Sequence, residues 1–162
     1  MIAAFDVKYF DDGTALCGAV VFQYFTDKKP HSQYRKKIGS AEDYVPGLFY
    51  KRELPCIISL LDDMPEKLGT IVVDGYVRLG DCPGLGGHLK RSLANDVTVI
   101  GVAKSQFKGA SAVEVYRGNS RKPLYVTSAG IDQQDAAKYV RQMHGENRIP
   151  VLLKMVDRLT RK

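Results

Sequence analysis

The sequence predicts an α/β fold, a mixed β-sheet flanked by helices, on three observations. The first 40 residues hold β-rich runs separated by tight-turn residues. Further on, two short apolar runs, TIVVDG (70–75) and VTVIGVAK (97–104), bracket a glycine-led helical segment, the pattern of a strand, helix, strand crossover in a parallel sheet. Helical segments then close the chain. With 162 residues, 44% of them hydrophobic, one domain spanning 1–162 is expected, large enough to pack a core without disulfides or metals.

Taken in order, 2–10 (IAAFDVKYF) and 15–25 (ALCGAVVFQYF) read as strands joined by a hairpin, because Asp12-Gly13 between them supplies turn chemistry. A more polar run at 31–38 reads as the next antiparallel strand. After the irregular SAEDYVPG, a helix is expected from about 48 to 62, starting or kinked at Pro55, which has no backbone N–H to give. TIVVDG is continuously apolar, as a strand covered on both faces is, and it delivers an acid at its C-terminal end. PGLGGHLKRSLAN (83–95) turns into a helix before VTVIGVAK. AVEVYR and PLYVTS flank the turn-rich GNSRK as a hairpin, and helices near 132–144 and 150–161 follow. This order is compatible with a ribonuclease-H-like fold.

No stretch approaches the roughly 20 apolar residues of a membrane span. Asp6 falls inside what would be the apolar part of a signal peptide, so a cytoplasmic protein with no membrane partner is expected. Cys17, Cys56 and Cys82 are odd in number and lack metal-ligand spacing, which argues against a disulfide framework or a zinc site and leaves them as reduced fillers. The formal net charge of +6 favours a polyanionic partner, since lysines and arginines neutralise phosphates.

Three acids sit where a carboxylate is costly. Asp6 interrupts the apolar first strand, Asp74 ends a central one, and Glu53 shares a helical stripe with Phe49 and Ile57. If they converge they repel one another unless a cation lies between them, and magnesium prefers hard oxygen ligands of this kind. Spacing alone is also satisfied if each acid is solvated or paired with one of the 24 basic residues, and on general burial behaviour that reading comes first.

The segments FDVKY, DYVPGLFYKRE, IVVDGYVRLG and IGVAKS, in this order, resemble the motif set of endonuclease V, and the likeness runs through most of the chain. The resemblance implies a deoxyribonuclease-V-like phosphodiester hydrolase. In such an enzyme Asp6, Glu53 and Asp74 bind the catalytic divalent ion, magnesium or in its place manganese. It also implies a wedge of Tyr44, Val45 and Pro46 that fills the gap left by a flipped base, a role suited to a stiff aromatic and a proline. A base pocket is implied from Gly75, Gly84 and Leu85 with Phe49 beside them, although turn geometry and packing account for the glycines equally well. The resemblance implies that Lys104, in the GVAK motif, is a catalytic cation near the scissile phosphate. It implies Asp157, in the helix begun by RIP, as a further metal ligand, although on a helical wheel this residue opposes the stripe of Val151, Leu152, Met155, Val156 and Leu159 as any solvated residue would.

Two departures stand out. The chain starts almost directly at its first strand, short of the longer N-terminal region common in the family, and RLGDCPG offers only Arg78 or Asp81 where a histidine often follows the VDG motif. His88 is expected to be packed behind the site, and His31 and His144 have no assigned role. The function implied is a metal-dependent nick 3′ to deoxyinosine in DNA, with inosine-containing RNA as another substrate, made by a monomer in DNA repair. The alternatives are a nuclease of the same fold with structure-specific or RNA preference, and a nucleic-acid-binding module without catalysis.

Overall fold

A computed structural model describes residues 1–39, 50–94 and 96–161, with the side chains of residues 50 and 51 left out. The proposed wedge, Tyr44, Val45 and Pro46, and the pocket residue Phe49 lie outside the described residues.

The N-terminal meander is β1 (Ile2–Tyr9), β2 (Ala15–Phe22) and β3 (Ser32–Ile38). Its first turn closes where Phe10 N donates to Thr14 O and Gly13 N to Phe10 O, with Gly13 in the left-handed region at φ 83°. β2 ends at Phe22, short of residue 25. The backbone N–H groups of Gln23 and Tyr24 both donate to Asp27 Oδ2, at 2.9 Å each, and this local turn outcompetes the ladder.

Helix α1 (Tyr50–Asp63) runs through Pro55 and does not start there. A proline inside a helix costs about 3 kcal/mol, and burial of Cys56, Ile57 and Leu60 beneath the same helix offsets it. β4 (Thr70–Asp74) is followed by β5 (Arg78–Leu79) and β6 (Cys82–Pro83), a two-stranded ribbon that the sequence reading did not foresee. Helix α2 (Leu85–Arg91) leads into β7 (Thr98–Ala103). The anticipated hairpin is β8 (Val113–Val115) with β9 (Leu124–Ala129), and α3 (Gln133–Gln142) and α4 (Val151–Leu159) complete the chain.

The main sheet has the order β3-β2-β1-β4-β7-β9-β8. β1, β4 and β7 are parallel and their neighbours antiparallel, the mixed sheet expected of a ribonuclease-H-like fold. Alternation along β1 sends Ile2 and Ala4 into a core shared with α3 and α4, and Ala3 and Phe5 into a second core with α1 and α2. Helices therefore cover both faces, which is why the central strands read as unbroken apolar runs. Among the described residues no helix is long and apolar enough to cross a membrane.

Two sequence-based placements need correction. Cys82 is exposed on the small ribbon, whereas Cys17 and Cys56 are buried fillers. Val151 is 37% exposed because it opens the first turn of α4, before the helix settles on Leu152 and Val156.

Candidate active site

The three parallel strands end at one edge of the sheet, where α/β folds place their crevices. Their register sets Phe5 opposite Val73 and Asp74 opposite Val102. Asp6 thus follows beside Asp74, and Lys104 lies two residues past Val102. By alternation all three side chains face the layer of α3 and α4.

Lys104 Nζ sits 3.3 Å from Asp74 Oδ2 in an ion pair exposed on both sides. The Lys104 carbonyl accepts from Arg148, which also donates to Pro123 O, so the end of β7 is held by the loop before α4. Under α4 these residues line a cavity with Asp157, over an apolar floor that includes Ala4, Val72 and Val156. Asp157 is therefore turned toward the flank of α4 that meets β1, and not away from the packed stripe as the helical wheel implied. Its carboxylate pairs with Arg161 at 2.6 Å.

Glu53 arrives from the opposite layer. The first turn of α1 brings it to the same edge of the sheet, where it lines a cleft with Asp74, Gly75, Gly84, Leu85 and Lys104. Burial pushes its carboxyl up to about 8, the charges of Asp74 and Asp6 add to the rise, and Arg52 opposes it. Arg52 is itself held with its guanidinium carbon 3.4 Å above the centre of the Tyr9 ring. Asp6 is also raised, by burial and by the charges of Asp74 and Asp157, against the lowering effect of a Thr160 hydrogen bond and of Lys104.

Among the described residues no three Asp, Glu, His or Cys groups stand close enough together to enclose a metal ion as they are arranged. The donor chemistry nevertheless fits a hard divalent cation. The candidate ligands are all carboxylate oxygens, they approach from both sides of the sheet edge, and burial raises the pKa of Asp6 and of Glu53, with neighbouring carboxylates adding to each rise.

The turn and packing reading accounts for the glycines. Gly75 has φ 132°, and a Cβ on Gly84 would strike the Tyr76 carbonyl, so the backbone demands glycine at both positions. Both also line the cleft. Arg78 donates to Asp81 O within the small ribbon, and neither is among the residues lining the cleft. His88 is half-buried on α2, with its pKa lowered by burial and by Arg91.

The cleft also has walls that the sequence reading missed. Tyr76 donates to Ser105 O at 2.7 Å and accepts from Phe107 N at 2.9 Å, and the two rings lie 6.1 Å apart. Tyr76 directly follows the VDG motif and Phe107 comes shortly after the AKS segment, which was the available signal. Thr160, which donates to Asp6, offered none.

The model of the family described as Endonuclease V matches residues 1–125. Endonuclease V of Nostoc punctiforme is 28% identical over 180 residues, covering 98% of this chain and 80% of the relative. Among solved structures, endonuclease V of Streptomyces avermitilis superposes with a TM-score of 0.76 at 26% identity, covering 98% of this chain and 78% of that one. The Ciona intestinalis enzyme, in complex with a 24mer DNA containing an inosine followed by a ribo-adenosine, does so with 0.79 at 20% identity, covering 98% and 83%.

Proposed function

Since the chain belongs to the endonuclease V family and is accordingly a nuclease, we propose that it nicks nucleic acid 3′ to a deaminated base, deoxyinosine in DNA first and inosine in RNA second, in the service of DNA repair. The observation that supports this best is the crowding of Asp6, Glu53, Asp74 and Lys104 at the edge where β1, β4 and β7 end. The inosine in the DNA bound to the Ciona relative supports the choice of base.

The family is metal-dependent, and in this reading Asp6, Glu53 and Asp74, joined by Asp157, would hold magnesium, for which manganese could substitute. The chemistry such an ion would supply there is a lowered pKa for water and withdrawal of charge from a phosphate. Lys104, now paired with Asp74, turns its ammonium to a phosphate oxygen at the scissile bond and stabilises the charge that develops there. Asp157, now paired with Arg161, would be a further ligand to that cation.

The cleft beside these groups receives the flipped base. Gly75 and Gly84 present backbone to it and Leu85 apolar surface, while motif likeness alone assigns Phe49 to the same pocket and Tyr44, Val45 and Pro46 to the gap left in the stack. Unstacking costs a few kcal/mol, less for a badly paired base. Part of the selectivity therefore precedes any contact in the cleft.

The test is incubation with magnesium and a labelled duplex carrying one deoxyinosine, beside an undamaged duplex, an inosine-containing RNA and an EDTA blank. A metal-dependent nick 3′ of the lesion is the expected result. Cleavage of the RNA alone would move the substrate to RNA, and binding without cleavage of any substrate would overturn the catalytic reading.

A further inference from the structure

We propose that Thr160, just past the end of α4, is a positioning residue for Asp6, and that residue 18 is glycine so that the last turn of α4 can come close enough for this contact. The inference rests on the reading of Asp6 as a metal ligand.

Thr160 is 0% exposed, one of three buried polar or charged residues among those described. A buried hydroxyl needs partners, and this one has two acceptors within reach: Asp6 Oδ2 at 2.8 Å and the Asp157 carbonyl at 2.9 Å. It has a single proton. An ionised carboxylate is the stronger acceptor, so the proton goes to Asp6 and fixes one carboxylate oxygen, which orients the other. The bond joins residues 154 apart in sequence.

The strand beside Asp6 is shaped for this approach. Gly18 is the register partner of Asp6 in the β1–β2 ladder and sits in a strand whose other residues are all buried and apolar. Its backbone has no need of glycine, because its φ is not positive. A Cβ there would lie 3.1 Å from Leu159 Cβ and 3.2 Å from Thr160 Cγ2, closer than ordinary van der Waals contact. The small residue is thus explained by the helix end that presses on it. That helix end also carries Asp157, so one turn of α4 supplies a candidate ligand and the support for another, as groups behind metal ligands commonly do.

The experiment titrates manganese into the full chain without nucleic acid, by calorimetry, for wild type, T160V, T160S and G18A. Thermal unfolding in EDTA accompanies each titration. T160V keeps the shape and loses the hydroxyl, and its manganese affinity is expected to fall about tenfold. T160S restores wild-type affinity. G18A, which keeps the hydroxyl but pushes the last turn of α4 away, shifts affinity in the same direction as T160V, and carries the test if T160V does not fold. Nicking by T160V recovers at high metal concentration, which a general loss of structure would not allow. Wild-type manganese affinity in T160V, or in G18A if T160V does not fold, overturns the role of Thr160 alone. A wild-type chain that takes up no manganese overturns the metal site and this inference with it.

Discussion

Replacing Glu53 by glutamine and following stability against pH without divalent metal tests the electrostatics of the site directly. The Glu53 carboxyl rises from an ordinary 4.5 to about 8 in the folded chain. Between those values the folded state keeps a proton that the unfolded state has released, so stability falls as pH rises through the window and the loss is complete above about 8. At about 1.4 kcal/mol for each tenfold change, the rise amounts to about 5 kcal/mol at most. Relaxation and water entry at a half-buried site on a cleft reduce this to about 2–3 kcal/mol. Glutamine is neutral throughout and removes this contribution, while the smaller one from Asp6 stays in both proteins. Urea denaturation in EDTA from pH 4.5 to 8.5 should therefore show wild type losing about 2–3 kcal/mol relative to E53Q. Added magnesium should shrink the loss, because a bound cation favours the ionised carboxylate. Parallel curves for the two proteins would refute the raised carboxyl, and a slope unchanged by magnesium would remove Glu53 from the metal shell.

Two other substitutions probe separate parts of the molecule. D74N removes the acid shared by the proposed cation site and the Lys104 ion pair, and nicking is expected to fall about 100- to 1000-fold with the circular dichroism spectrum unchanged; a wild-type rate from intact protein would end the assignment. R117A is expected to cost about 3 kcal/mol, because the buried guanidinium donates to the carbonyls of Met143, Gly145, Asn147 and Arg148 and ties the end of α3 to the approach to α4; a loss below about 1 kcal/mol on denaturation would show those carbonyls finding other partners.

Much of the fold was legible because the strongest signals are local. Asp12-Gly13 marks its hairpin by turn chemistry, and continuous apolar runs mark β4 and β7 because both faces of those strands are covered. Signals failed where a nearby side chain or a longer-range contact decided the outcome. Asp27 folds back to end β2, Pro55 is carried inside α1 by the burial around it, and two residues per strand are too few for β5 and β6 to leave a pattern. In the site, motif likeness pointed to Asp6, Glu53, Asp74 and Lys104, yet no spacing between them implies that they meet.

By itself, then, the sequence determined the alternation of strands and helices, the apolar faces that cover the sheet and the kinds of acid available for a metal, since propensity, periodicity and residue chemistry are properties of short segments. The tertiary structure alone decided that Glu53 reaches the sheet edge from the layer opposite Asp6, that Asp157 faces the cavity of Asp6 and Lys104, that Tyr76 and Phe107 wall the cleft, and that Thr160 meets Asp6 across a glycine. These are relations between segments far apart in the chain, fixed by strand register and by how closely one helix end packs, and no single segment carries them.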